Sequence, residues 1–221
     1  MNLALFDLDH TLISGDSDSE WPRFLTKRGL LNEAHQRQSD AYYQQYLDGT
    51  LDIDRFLAFQ LKPLAQFDRS ELDSLHADYM REHILPIIPQ KARDILAAHQ
   101  AAGDVVMIVT ATNRFITAPI ARELGVENLI AIELEQDDAG NFTGRPSGVP
   151  SFRDGKIVRV EAWLAERGQT LASYDKVFFY SDSHNDLALL SRVSHPVAVD
   201  PDSALLAHAT QHGWPVISLR D

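Results

Sequence analysis

The sequence predicts an α/β protein: a doubly wound, mostly parallel sheet, interrupted after its first strand by an all-helical insert. Three observations carry that prediction. Short apolar runs alternate with helix-length segments, the pattern of βαβ units. Residues 15–86 hold several amphipathic helical patterns and no convincing strand. A chain of 221 residues, 44% hydrophobic and 24% charged, suits one large domain or a core plus a smaller one.

The first apolar run, Asn2–Leu8, is too short for a helix and reads as a buried strand that stops at Asp7-Leu-Asp-His-Thr11. Next comes the insert. Its clearest helix places Leu72, Leu75, His76, Tyr79, Met80 and His83 on one face, and Ile53–Leu61 reads as another helical segment. An insert of this length cannot be a simple crossover, so residues 15–86 read as a cap over the sheet edge, with 1–14 and 87–221 as the core. Pro89 to Ala102 is a helix with a proline near its start and Gly103 past its end. Val105–Val109 is the second strand, and Asn113–Leu124 a helix ending at Gly125. Ile130–Val149 alternates apolar and polar residues around the turn Asp138-Ala-Gly-Asn141, which predicts a small β-hairpin flap. Lys156 begins a helical segment, Lys176–Tyr180 is the fourth strand, and Asn185–Arg192 a helix. Pro196–Val199 and Val216–Leu219 are further strands. The expected strand order is 3-2-1-4-5, because Asp7 and Asp182 must meet where the order reverses.

Composition narrows the functional classes. Twenty basic against 32 acidic side chains leave a formal charge of −12, which argues against a duplex nucleic-acid binder. No apolar run is long enough to span a bilayer, and the N-terminus lacks the basic region of a secretory signal. The absence of cysteine excludes disulfides, thiolate metal sites and cysteine nucleophiles, and suits a cytoplasmic enzyme. The oligomeric state is not legible.

In an open α/β sheet, ligands sit beyond the carboxyl ends of the strands. That rule selects Asp7, Asp9 and Thr11 after the first strand, Thr110-Ala-Thr112 after the second, and Ser181-Asp-Ser-His-Asn-Asp186 after the fourth. Converging carboxylates repel unless a cation sits among them, and oxygen donors alone favour a hard ion such as Mg²⁺. A lysine together with hydroxyl and backbone donors then describes a phosphate seat. In this setting, one aspartate of Asp7-x-Asp9 can attack phosphorus while the other moves the proton.

These residues resemble the four motifs of the haloacid dehalogenase-type phosphatases: Asp7-Leu-Asp-His-Thr11, Thr110 after an apolar strand, Lys156, and Asp182-x-x-Asn-Asp186. The chain is most similar to the helical-capped branch that contains phosphoserine phosphatase and related histidinol-phosphate phosphatases. The resemblance implies Asp7 as nucleophile and Asp9 as general acid/base. It implies Mg²⁺ held by Asp7, the Asp9 carbonyl and Asp182, with Asp186 supporting them. Thr110, the Ala111 amide and Lys156 would hold phosphoryl oxygens, and Asn185 would face phosphate or substrate. It further implies Asp16 and Arg55 as residues that select a small phosphorylated metabolite, with Asp16 gripping an amine and Arg55 a carboxylate.

Plainer readings stand beside these. Lys156 could be a first-turn surface lysine, Asp186 a helix cap, and Arg55 an ordinary solvated residue. His10 and His184 suit structural or substrate-rim roles. Trp21, Tyr42, Tyr43, Tyr46 and Phe56 read as packing within the cap. A phospho-accepting receiver-type signalling domain is the rival from another class, but it needs neither Asp9 nor a large cap.

Overall fold

The computed structural model describes residues 1–220. In chain order it contains β1 (Leu3–Phe6), α1 (Ser17–Lys27), α2 (Glu33–Leu47), α3 (Ile53–Gln60), α4 (Arg69–Tyr79), α5 (Gln90–Ala101), β2 (Val105–Asn113) and α6 (Arg114–Glu123). β3 (Asn128–Gln136), β4 (Phe142–Ser147), α7 (Asp154–Ala165), β5 (Val177–Ser181), α8 (Leu187–Leu190), β6 (His195–Val199), α9 (Ser203–His212) and β7 (Val216–Ile217) follow.

The strands form one sheet in the order β4-β3-β2-β1-β5-β6-β7. Its five central strands run parallel, as the expected order requires. Two edge strands, β4 and β7, extend the sheet beyond that order. β4 pairs antiparallel with β3, so the expected flap shares its first arm with the sheet: β3 serves β2 with one stretch and β4 with the next. The far edge is shorter than the apolar run Val216–Leu219 suggests, because only Val216 and Ile217 pair with β6. The helix expected over Asn185–Arg192 is a 3-10 turn, His184–Asp186, followed by the four residues of α8.

Side-chain alternation in β1 explains why this strand is central. Ala4 and Phe6 face one apolar cluster and Leu3 and Leu5 the other, all fully buried. A strand covered on both faces must be apolar on both. β1 therefore reads as an unbroken hydrophobic run, and its first polar side chain, Asp7, marks where it leaves the sheet.

Three of the insert's four α-helices start on side-chain caps. Asp16, Asn32 and Asp52 accept from the backbone N–H three residues on, in α1, α2 and α3. α4 runs into a π turn, Met80–Ile84, and a 3-10 turn, Leu85–Ile87. There the chain returns to its point of departure, with the Ser14 N–H donating to Ile87 O at 2.8 Å. Trp21 of α1 packs edge-on against Phe115 of α6 and Tyr79 of α4, which joins the insert to a core helix through aromatic contact.

Candidate active site

β1 lies between β2 and β5, and the Asp7 N–H donates to Tyr180 O at 2.9 Å. Asp7 thus emerges where the strand order reverses, the place where α/β sheets bind ligands. Lys156 reaches it from α7, whose start is tightly built: a Cβ on Gly155 would lie 2.0 Å from Pro150 O. Only glycine allows that approach, and it delivers Lys156 into the interior. Lys156 Nζ donates to Asp7 Oδ1 at 2.8 Å and to Asp186 Oδ2 at 2.7 Å, all three side chains being buried. Burial would favour the neutral amine, but Asp186 and Asp7 more than offset it and raise the Lys156 pKa above the usual lysine value. A surface lysine is thereby excluded. Ser181 Oγ also donates to Asp186 Oδ2, at 2.7 Å, so Asp186 is a buried anchor.

Asp182 follows β5 and exchanges two hydrogen bonds with Thr11: Thr11 Oγ1 donates to its carboxylate at 3.2 Å and accepts from its N–H at 3.1 Å. Its pKa is pushed well up by burial and by the charges of Asp7 and Asp186. Asp7 rises to about 7, through burial first; Asp186 and Asp9 add to the shift and Lys156 opposes it. Three carboxylates share one ammonium here, which leaves a divalent cation's worth of charge unbalanced. Among the described residues, no three His, Cys, Asp or Glu side chains are arranged as a metal cage. Asp7 and Asp182, with the Asp9 carbonyl that the family resemblance implies, could instead supply a sparse oxygen set of the kind that suits Mg²⁺, an ion that keeps several waters. The donor chemistry therefore fits.

Asp9 is oriented from two sides. Ser17 N–H, at the start of α1, donates to its Oδ1 at 2.6 Å, and Thr112 Oγ1 donates to its Oδ2 at 2.8 Å. Thr110 Oγ1 reaches the same Oδ2 at 3.4 Å. Ser151 Oγ donates to Thr110 O at 2.6 Å and pins this strand end to the loop before α7.

Asp7, Asp9, Asp16, Thr110 and Ala111 line one narrow cavity of about 60 Å³ between core and insert. Asp18, Gln60 and the aromatic residues Tyr42, Tyr43, Tyr46, Phe56 and Phe152 also line it. Tyr42, Tyr43, Tyr46 and Phe56 pack on rings within the insert, as expected (Tyr42 on Phe56 and Phe59, Tyr43 on Tyr46), and also line the cavity, whereas Trp21 is buried in the core. Helical spacing could not separate the two roles, since both use an apolar face. Arg55 departs from expectation. Its side chain is 82% exposed and pairs with Asp52, while its neighbours Ile53 and Phe56 face the cavity. Arg55 sits on the opposite side of α3, and no Lys, Arg or His is among the lining residues.

Asn185 Oδ1 accepts from Arg153 Nε at 3.0 Å and its Nδ2 donates to Tyr46 O at 3.1 Å, so the amide ties core to insert; like Lys156 and Asp182, it lies outside the cavity's lining residues. His10 bonds Tyr43 at 2.9 Å and His184 bonds Asp202 at 2.7 Å, both at the periphery. Sequence reasoning missed Asp18, Gln60 and Arg153. Arg153 holds φ 50°, ψ −121°, a conformation that non-glycine residues rarely adopt and that no sequence pattern announces.

A family model described as haloacid dehalogenase-like hydrolase matches residues 4–191. A protein of Neisseria meningitidis serogroup C named histidinol-phosphatase is 47% identical over 220 residues, covering 99% of each chain. A crystal structure of a Bordetella pertussis protein of unknown function superposes with a TM-score of 0.93 at 44% identity, covering 99% of this chain and 98% of that one. A substrate-bound phosphoserine phosphatase superposes with a TM-score of 0.71 at 17% identity, over 99% and 92% of the two chains, a likeness of fold.

Proposed function

The chain belongs to the haloacid dehalogenase-like hydrolases, and on that premise we propose that it is a Mg²⁺-dependent phosphomonoesterase acting on histidinol phosphate. The observation that carries the catalytic reading is the pairing of Asp7, held by buried Lys156, with Asp9, oriented by Ser17 and Thr112 around the same cavity.

Asp7 attacks phosphorus, and the ester P–O bond breaks as the aspartyl-phosphate forms. Asp9, protonated at that moment, gives its proton to the departing alkoxide. As a carboxylate it then takes a proton from water, whose oxygen attacks phosphorus and releases inorganic phosphate from Asp7. Lys156, Thr110 and the Ala111 amide supply donors for the phosphoryl oxygens. Asp7, the Asp9 carbonyl and Asp182 are the residues that would hold Mg²⁺, with Asp186 fixing Lys156 beside them. When bound, the ion neutralises phosphoryl charge. The helical insert, residues 15–86, serves as the cap that excludes bulk water.

The wall chemistry supports the substrate choice. It offers acids and aromatic rings but no cation for a carboxylate, which suits an amine and a flat ring better than an amino acid. The name of the Neisseria relative points the same way. The test is Mg²⁺-dependent phosphate release from histidinol phosphate and phosphoserine, with Asp7→Asn as control. A higher kcat/KM for histidinol phosphate is expected. Preference for phosphoserine overturns the substrate, and full activity of Asp7→Asn overturns the mechanism.

A further inference from the structure

Pro22 lies inside α1 and has no N–H, so the carbonyl of Asp18, four residues earlier, has no helical partner from that position. Gln60 of α3 takes its place: Nε2 donates to Asp18 O at 2.8 Å and to Asp18 Oδ1 at 3.1 Å. Both partners are acceptors, so the amide orientation is fixed, and the reverse would set oxygen against oxygen. Gln60 Oε1 is left without a hydrogen bond although the residue is only 6% exposed and lines the cavity. A buried unpaired acceptor costs about 1–3 kcal/mol, so its presence at a cavity wall requires a reason.

The Asp18 carboxylate accepts from Gln60 through Oδ1 and has no charged partner among the described residues. Neither Asp16 nor Asp18 takes part in an ion pair among the described residues, although both face the cavity. Asp16 Oδ1 is already engaged by Ser19 N–H and Oγ as a helix cap. Asp18 carries no such duty. Asp7, held by Lys156, lines the same cavity as Asp9, Asp18 and Gln60. Tyr42, Tyr43 and Phe56 present rings along the same wall, surfaces that attract cations.

Resting on the hydrolase reading above, we infer that Asp18 and Gln60 are specificity-determining residues that receive the nitrogen-bearing cation of the substrate, an ammonium or imidazolium whose N–H groups donate to the Asp18 carboxylate and to Gln60 Oε1. Pro22 and the α3 contact fix the pair before substrate arrives, and preorganised acceptors discriminate strongly against a ligand lacking the donor.

Initial rates with p-nitrophenyl phosphate, phosphoethanolamine and histidinol phosphate, for wild type, Asp18→Asn and Gln60→Leu, test this. The first ester has no amine, the second has an amine only, and the third has amine and imidazole. In both variants the ratio of kcat/KM for histidinol phosphate to that for p-nitrophenyl phosphate should fall about 10- to 100-fold. Histidinol, which lacks phosphate, should inhibit wild-type turnover of p-nitrophenyl phosphate and lose potency against each variant. A parallel fall with phosphoethanolamine assigns the ammonium, and its absence assigns the imidazole. Equal losses on all three esters with unchanged histidinol inhibition mean a structural role and overturn the assignment. Wild-type turnover that requires Asp7 yet shows no preference for nitrogen-bearing esters overturns the receptor and leaves the hydrolase intact. No turnover of any ester overturns both.

Discussion

Lys156 Nζ lies 2.8 Å from Asp7 Oδ1 and 2.7 Å from Asp186 Oδ2, so one buried ammonium ties the nucleophile candidate after β1 to the acid after β5. On the proposed mechanism Lys156 would have two roles, as a stabilising charge in an acidic interior and as a donor to the phosphoryl group. Lys156→Ala removes both. Breaking a buried ion pair from one side costs about 3–5 kcal/mol, and loss of one oxyanion donor lowers kcat by about 10²–10³. Urea unfolding and phosphate release should show the two losses together. Wild-type kcat in Lys156→Ala would remove the residue from the phosphate seat.

Asp9 is held by Ser17 N–H and Thr112 Oγ1, so Asp9→Asn keeps much of the local geometry while deleting proton transfer. Both chemical steps need that transfer, and general acid–base catalysis contributes about 10²–10⁴-fold. Rapid-quench measurements should show slower phosphorylation of Asp7 and slower hydrolysis of the intermediate. If only one step slows, Asp9 serves a single role.

The sequence disclosed this much because strand ends are where apolar pattern and polar motif meet. Asp7, Thr110 and Asp182 each follow a run that can only be buried strand, and topology then brings them together. The insert was less legible. Arg55 and Phe56 are adjacent on α3, yet one faces solvent and the other the cavity. A short helix seen without its partners does not reveal which neighbour each of its faces meets. Gln60 acquires meaning only once α3 is seen to lie beside the Asp18 carbonyl that Pro22 leaves free.

Asp7, raised from 3.8 to about 7 chiefly by burial, couples stability to pH and metal. Below about pH 4 the group is protonated whether the chain is folded or not. Between about pH 4 and about 7 the unfolded chain has given up a proton that the folded protein still holds, so stability from this group declines across that window and levels off above it. A divalent ion that relieves the repulsion must therefore stabilise the protein more at pH 8 than at pH 5. Thermal denaturation with Mg²⁺ and with chelator at both values measures it. An equal Mg²⁺ effect at the two would place the ion away from Asp7.

His76 tests the opposite sign. It is buried among Trp21, Tyr79 and Phe115, with Nε2 2.9 Å from Ile116 O, and burial lowers its pKa below 6.5. Its contribution is present above the unfolded value and lost as pH falls, because the unfolded chain then binds a proton that the folded one refuses. His76→Gln should have a lower Tm at pH 7 but a smaller fall in Tm between pH 7 and pH 5. Parallel curves would mean that the imidazole remains accessible to protons in the folded state.

Arg153 supplies the last prediction, on how insert and core stay joined over the cavity. Its Nε donates to Asn185 Oδ1 at 3.0 Å and its Nη2 to Gly49 O, while Asn185 Nδ2 reaches Tyr46 O. Gly49 ends this contact at φ 67°, and a Cβ there would lie 3.0 Å from His184 Nε2. The clasp is held against backbone strain, since Arg153 adopts φ 50°, and a non-glycine residue in such a region costs on the order of 1–3 kcal/mol. Arg153→Gly removes strain and clasp together, whereas Arg153→Ala keeps the strain and removes the clasp. Because the strain is local and the clasp bridges two bodies, the variants should separate in stability and agree in catalysis. Arg153→Gly should have the higher Tm of the two, and both should show raised KM, since an insert that closes less often holds its substrate less well. Identical Tm values would remove the strain argument, and an unchanged KM in both would remove the clasp.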